Sequence, residues 1–205
     1  MLVIGLTGSI GMGKSAAAAH FRARGVPVCD ADAEVHRLYD GEAVQAIEAA
    51  FPSAVRDGKV NRAALAKEVG GSPQKLKQLE AIVHPMVVKA EIDFLRDQEK
   101  RGAALAVLEI PLLFETEAHL RIDVTVVVSA PEDVQRARVL GRPNMSPSKL
   151  EALLTRQLSD AEKRARADFV VDSGRSLADM ERQIDKILDS LRGREGRVME
   201  RLRNL

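Results

Sequence analysis

Residues 8 to 15 read Gly-Ser-Ile-Gly-Met-Gly-Lys-Ser and come just after the apolar run Leu2–Leu6. This is the phosphate-binding loop pattern G-x-x-x-x-G-K-[S/T], with Gly8, Gly13, Lys14 and Ser15 in the four fixed places. It constrains the fold strongly, because it needs a strand before it and a helix after it. Glycines let backbone N–H groups turn inward around phosphate oxygens where a Cβ would clash. Lys14 can place its ammonium on β- and γ-phosphates, and the Ser15 hydroxyl can bind Mg²⁺. The run Ala16-Ala17-Ala18-Ala19 has very high helix propensity, so a helix opens here with its positive end toward the phosphates. Gly11, Met12, Gly13, Lys14, Ser15 and Ala16 are therefore the candidate nucleotide-binding segment.

The rest of the chain suits one α/β domain with an insertion. It has 205 residues, 45% hydrophobic and 30% charged. Aromatic residues make up only 3%, so the core must be built from Leu, Ile, Val and Ala, and stacking platforms for single-stranded nucleic acid are hard to assemble. A formal net charge of +1 gives no global field toward nucleic acid or membrane. The single cysteine, Cys29, rules out an internal disulfide and fits a reducing compartment. No run approaches the roughly 18 apolar residues of a membrane span. The N-terminus reads as a strand rather than a signal peptide. The expectation is a cytoplasmic monomer, with weak self-association the alternative, acting on small molecules.

Leu2–Leu6 reads as a first parallel strand buried on both faces. Val26-Pro27-Val28-Cys29 reads as a second, parallel to it in one sheet through a βαβ unit. Residues 33 to about 101 look helical, with no convincing strand, and are punctuated by Gly41, Pro52, Gly58, Gly70-Gly71 and Pro73. Asn61 and Ser72 are plausible N-caps for helices opening at Arg62 and Pro73. Ala103–Ile110, Val124–Ser129 and Phe169-Val170-Val171 complete five strands, with a helix from Asp133 to Leu140 behind Pro131. A last helix, Leu177 to Leu191, sets Met180, Ile184, Ile187, Leu188 and Leu191 at core-facing spacing. The Arg-rich tail after Arg192 reads as a frayed, solvated end.

Ligands of parallel sheets gather at the carboxyl ends of strands. There the second strand offers Asp30 and Asp32, the third runs through Glu109 into Pro111-Leu112-Leu113-Phe114-Glu115, and the fifth leads to Asp172-Ser173-Gly174. Spacing of two on an extended backbone sends Asp30 and Asp32 to opposite faces, so one can cap the next helix while the other works on a substrate hydroxyl. Which does which stays open. Arginines 136, 138, 142 and 156 follow the fourth strand, and Gly141-Arg142-Pro143-Asn144 reads as the break a closing lid needs. For Arg136 a solvated helical face with ion pairs is the preferred reading. His84-Pro85 lies inside the helical block, where histidines are usually structural. His20, His36 and His119 have no neighbours in sequence that suggest metal or triad chemistry.

Taken together, these elements resemble the dephospho-coenzyme A kinase family. The resemblance runs from residue 2 to about 190, through Gly5-Leu6-Thr7-Gly8 to Ser15, Asp30-Ala31-Asp32, Leu79 to Pro85, Pro111 to Glu115, Arg138 and Arg142, Gln157, and Ala167-Asp168. It implies an α/β P-loop kinase fold: a five-stranded parallel sheet flanked by helices, a helical coenzyme A-binding insertion over about 33–101, and a lid over about 138–158. It implies ATP as co-substrate with Mg²⁺ on Ser15, Lys14 on the phosphates, Asp32 orienting or deprotonating a ribose 3′-hydroxyl, and Arg142 as the lid arginine. It places Asp32, His84, Leu113, Phe114, Glu115 and Arg138 at the acceptor, and Asp172 to Gly174 near adenine. Two positions depart from the family's habit: Ser15-Ala16 stands where Ser-Thr is common, and Arg142-Pro143 where Arg-Asp is common.

Two other classes share the loop motif. One is a P-loop kinase for another acceptor, such as a nucleoside monophosphate. The other is a GTP switch, which would want an Asn-Lys-x-Asp; none of Asn61, Asn144 and Asn204 begins one.

Overall fold

The computed structural model describes residues 1–116 and 118–203, the side chain of residue 120 excepted. From the N-terminus, β1 (Leu2–Thr7) runs through the glycine loop into α1 (Lys14–Ala23) and β2 (Val28–Asp30). Then come α2 (Ala31–Tyr39), α3 (Val44–Ala50), β3 (Val55–Arg56), β4 (Lys59–Val60), α4 (Arg62–Val69) and the long α5 (Pro73–Lys100). The chain continues through β5 (Leu105–Glu109), β6 (Val124–Ser129), α6 (Glu132–Leu140), α7 (Pro147–Leu154), α8 (Asp160–Ala165), β7 (Phe169–Asp172), α9 (Leu177–Leu191) and α10 (Val198–Arg203). It divides into two compact units, one of residues 1–29 with 95–205, the other Asp30–Phe94.

The first unit is built on a five-stranded sheet in the order β2-β5-β1-β6-β7. β1 lies between β5 and β6, parallel to both, with Ile4 opposite Val107 and Val124. All six of its residues are buried, as expected of a strand covered on both faces. β2 shares the sheet with β1, but β5 separates them. On one face Ala17, Ala18 and Phe21 of α1 and Met180, Ile184, Ile187 and Leu191 of α9 pack with Leu2, Ile4, Val126 and Val171. The α9 stripe is thus core, as its spacing predicts. Each such fully buried large aliphatic side chain stabilises by roughly 1.5–3 kcal/mol over leaving it exposed.

The tail is not a frayed end. Val198, Met199 and Leu202 of α10 are 1%, 2% and 6% exposed. Asp123 organises the helix start: its Oδ1 accepts the N–H groups of Arg197 and Val198 at 2.7 and 3.0 Å, and its Oδ2 accepts that of Val3 at 2.9 Å. Residues 204 and 205, the end of that tail, lie outside the described residues.

The second unit has its own core, in which Leu38, Ile47, Phe51, Leu65, Val83 and Val87 meet. Asn61 Oδ1 caps α4 through Ala64 N–H at 3.0 Å, and Ser72 Oγ accepts from Lys75 N–H at 3.3 Å at the head of α5, both as the sequence suggests. The expectation of no strand between 33 and 101 fails. β3 and β4 form a two-stranded antiparallel hairpin, with Val55 opposite Val60. Asp57 and Gly58 turn it with φ of 51° and 70°, the paired positive values of a type I′ turn.

Candidate functional site

The loop after β1 is shaped by close approach. A Cβ on Gly8 would stand 2.5 Å from the carbonyl oxygen of Val128, a backbone atom that cannot yield. Gly13 precedes α1 with φ of +86°, a left-handed conformation that side chains with a Cβ resist. No side chain caps α1, and its first turn holds no acid. Its leading N–H groups, with the positive end of the helix dipole behind them, are therefore available to an anion.

Lys14 and Ser15 open that helix. Lys14 Nζ contacts Glu109 Oε1 at 3.0 Å, with the two side chains 15% and 3% exposed. Glu109 reaches this place from the last residue of β5, the strand hydrogen-bonded beside β1. Its Oε2 is buried without a hydrogen-bond partner. Ser15 and Ala16 are exposed. Among the described residues no group of three His, Cys, Asp or Glu could hold a metal by itself. The donor set at the loop, one hydroxyl with a carboxylate nearby, suits Mg²⁺, which keeps waters and takes substrate phosphates as ligands rather than needing a protein cage.

Arg138 is the arginine that reaches the loop. Its guanidinium donates to Ser173 Oγ at 3.1 Å and to Ser173 O at 2.7 Å, while Ser173 Oγ donates to Met12 O at 2.6 Å. Arg142 lies in the exposed turn after α6, and its side chain has no partner among the described residues. Arg136 pairs with Glu151 at 2.7 Å, the surface role its position suggests.

Glutamines hold the other side of the loop. Gln135 Nε2 donates to Ile10 O at 2.8 Å, and Ile10 N–H donates to Gln157 Oε1 at 3.3 Å. Neither glutamine stands out in the sequence by its chemistry, because a carboxamide bound to a distant main-chain atom leaves no local pattern. Ser9, Met12, Gln135 and Gln157 also border a cavity of about 760 Å³ beside β6 and β7. Glu132, Asp160, Glu162 and Asp172 line it against a single Arg164, so its charge disfavours a triphosphate. The uncapped, acid-free α1 N-terminus carries no such acidic lining.

Other predicted residues fall as follows. Asp30 is the cap: its Oδ1 accepts from the N–H groups of Asp32 and Ala33 at 3.0 and 3.1 Å. The Asp32 carboxylate is exposed and has no partner among the described residues. His84 is exposed on α5. Leu113 is fully buried and Phe114 nearly so, at 0% and 7% exposure. Glu115 Oε1 is engaged by Lys163 Nζ at 2.9 Å and by Leu158 N–H at 2.8 Å, while Oε2 is buried and unpaired. His20 joins a structural cluster, with Nε2 2.9 Å from Asp185.

A parallel five-stranded sheet with this loop between β1 and α1, Lys14 and Ser15 at the helix head and a helical segment behind β6 define a P-loop kinase. The chain belongs to the dephospho-CoA kinase family, whose model matches residues 2–179. The dephospho-CoA kinase of Brucella melitensis is 56% identical over 194 residues, covering 95% of this chain and 97% of that protein. The crystal structure of TT1252 from Thermus thermophilus superposes with a TM-score of 0.82 at 40% identity, covering 94% of this chain and 98% of the other. The dephospho-CoA kinase of Campylobacter jejuni, at 23% identity, shares the fold with a TM-score of 0.66 over 92% and 96% of the two chains.

Proposed function

We propose that this chain transfers the γ-phosphoryl group of ATP to the ribose 3′-hydroxyl of dephospho-CoA, giving CoA and ADP, the last step of coenzyme A synthesis. The observation that carries the reading is the uncapped, acid-free N-terminus of α1, with Lys14 beside it, in a chain of this family. Residues Gly11 to Ala16 bind the phosphates through main-chain N–H groups. Lys14 turns from Glu109 to meet the β- and γ-phosphates. Ser15 would hold Mg²⁺, which when bound supplies charge neutralisation between the phosphates.

In this reading Asp32, left free because Asp30 does the capping, orients the acceptor hydroxyl and takes its proton. Arg142, exposed and unpaired, is the lid arginine that meets the transferring phosphoryl, on a lid spanning about 138–158. Arg138 is already committed at the loop through Ser173, so it serves binding rather than closure. His84 and the segment Leu113 to Glu115 serve the acceptor; burial makes Leu113 and Phe114 a packed support. The helical unit Asp30–Phe94 is the coenzyme A-binding part. The lone, buried Cys29 accords with action in the cytoplasm, as a monomer. No helix among the described residues is long and apolar enough to cross a membrane.

A coupled ADP-release assay comparing dephospho-CoA with AMP, CMP and shikimate tests the acceptor. Release with dephospho-CoA alone supports the proposal. A preference for AMP or CMP would replace it with the alternative, a kinase for nucleoside monophosphates.

A further inference from the structure

Ser173 follows β7 and is 5% exposed, and each of its polar groups is engaged. Its N–H donates to Ser129 O at 2.8 Å. Its carbonyl and hydroxyl oxygens accept from the Arg138 guanidinium at 2.7 and 3.1 Å. A guanidinium only donates, so the proton of the Ser173 hydroxyl is free to go elsewhere. It goes to Met12 O, at 2.6 Å. Among the described residues that hydroxyl is the one hydrogen-bond partner of the Met12 carbonyl.

The bond fixes more than Met12. Met12 O and the Gly13 N–H belong to one trans peptide plane and point in opposite directions. Holding the oxygen against Ser173 therefore sends the N–H the other way, and that N–H donates to no described residue. The chain on either side is tied separately. Met12 N–H donates to Ser9 O at 3.2 Å, and Gly13 O accepts from the Ala16 and Ala17 N–H groups at 3.1 and 3.2 Å. The peptide between can still turn over, through the ψ of Met12 and the φ of Gly13. Gly13, with φ of +86° and no Cβ, accepts either sign. We infer that Ser173 is a positioning residue for phosphate binding: its hydroxyl keeps the Met12–Gly13 peptide turned so that the Gly13 N–H faces the bound anion. The inference rests on the proposed ATP binding at this loop and is independent of the acceptor.

The test uses the whole chain and Ser173→Ala, with tripolyphosphate and ATP as probes, each with Mg²⁺. Titration calorimetry gives both affinities, and a proton–nitrogen NMR spectrum follows the Gly13 amide. Misdirecting one hydrogen bond to a charged oxygen should weaken binding of both probes about tenfold in Ser173→Ala. The Gly13 amide proton should move downfield when wild type is saturated with tripolyphosphate, and move less in the variant. Both results are required. Tripolyphosphate affinity at or above the wild-type level, or an equal Gly13 movement at saturation, overturns the inference. Weaker ATP binding with tripolyphosphate unaffected does so too, because it puts Ser173 at the nucleoside instead. A serine that merely filled space would leave the Gly13 amide responding as in wild type. If Ser173→Ala does not fold, Ser173→Cys decides by the same two readouts, since its thiol is similar in size and a weak donor. Wild type that binds neither probe removes the ATP site and this inference together. Wild type that binds both leaves the variants to judge Ser173 alone.

Discussion

In the proposed mechanism Lys14 and Asp32 offer different help to one displacement. Phosphoryl transfer passes through a loose transition state, in which charge stabilisation outweighs proton removal. Lys14→Ala is therefore expected to slow the transfer step by at least about a hundredfold, as loss of one preorganised charge donor does. Asp32→Asn slows it by less. Single-turnover measurements with dephospho-CoA decide the order; an Asn variant as fast as wild type removes Asp32 from the mechanism. Asp30 gives a contrast two residues away. Asp30→Ala should cost about 1 kcal/mol of stability through its lost cap, read from urea melts, because its carboxylate serves α2. At this scale the motif made the loop legible, since glycine, lysine and serine at fixed offsets dictate backbone as well as chemistry. That Asp30 is the residue capping α2 needed the observed hydrogen bonds. Gln135 and Gln157 were illegible as a pair, because their partner is the main chain of Ile10, 125 and 147 positions away.

Among the elements, α9 and the heads of α4 and α5 could be read because each is specified by neighbours in sequence: an apolar stripe or a capping side chain. The β3–β4 hairpin carried a usable signal in Asp57-Gly58, but its strands are two residues each, too short for alternation to show. The docking of α10 had none, since the carboxylate that receives its first N–H groups lies 74 and 75 residues earlier. That carboxylate makes a test. Asp123 is 8% exposed and serves three main-chain donors from two elements. Asp123→Ala strands them and should destabilise by about 3 kcal/mol. Chemical denaturation measures the loss, and hydrogen exchange should show residues 197–203 opening first; a stable variant with a protected α10 would refute this account. The proposed lid is the opposite kind of element. Residues 141–144 are all exposed, and Asn144 adopts φ of 60°. Exchange across 141–149 should be fast in the free protein and slow with ATP bound; an unaltered profile removes the lid from the mechanism.

For the molecule as a whole, four surface carboxylates set a response to acid. Glu68, Glu162, Asp179 and Asp185 are all held below the usual carboxylate range, by hydrogen bonds from Ser53, Ser159, Ser176 and Arg24 respectively as the largest cause. A carboxylate whose folded pKa lies below its unfolded value adds stability that is complete above the unfolded value. That stability is lost as pH falls through the folded one. The chain should therefore keep its melting temperature from neutral pH down to the ordinary carboxylate range and lose it below. Asp185 tests the cause. It joins α9 to α1 by accepting from Arg24 and standing 2.9 Å from His20 Nε2. Every group in this set is at the surface, so each contributes modestly and salt screens it. Asp185→Asn should melt below wild type at neutral pH, and the gap should close as acid protonates the wild-type carboxylate. Melts followed by circular dichroism from neutral pH into acid read the gap directly. A gap of constant size would mean that Asp185 acts through packing, and that the acid limb of stability comes from the other carboxylates.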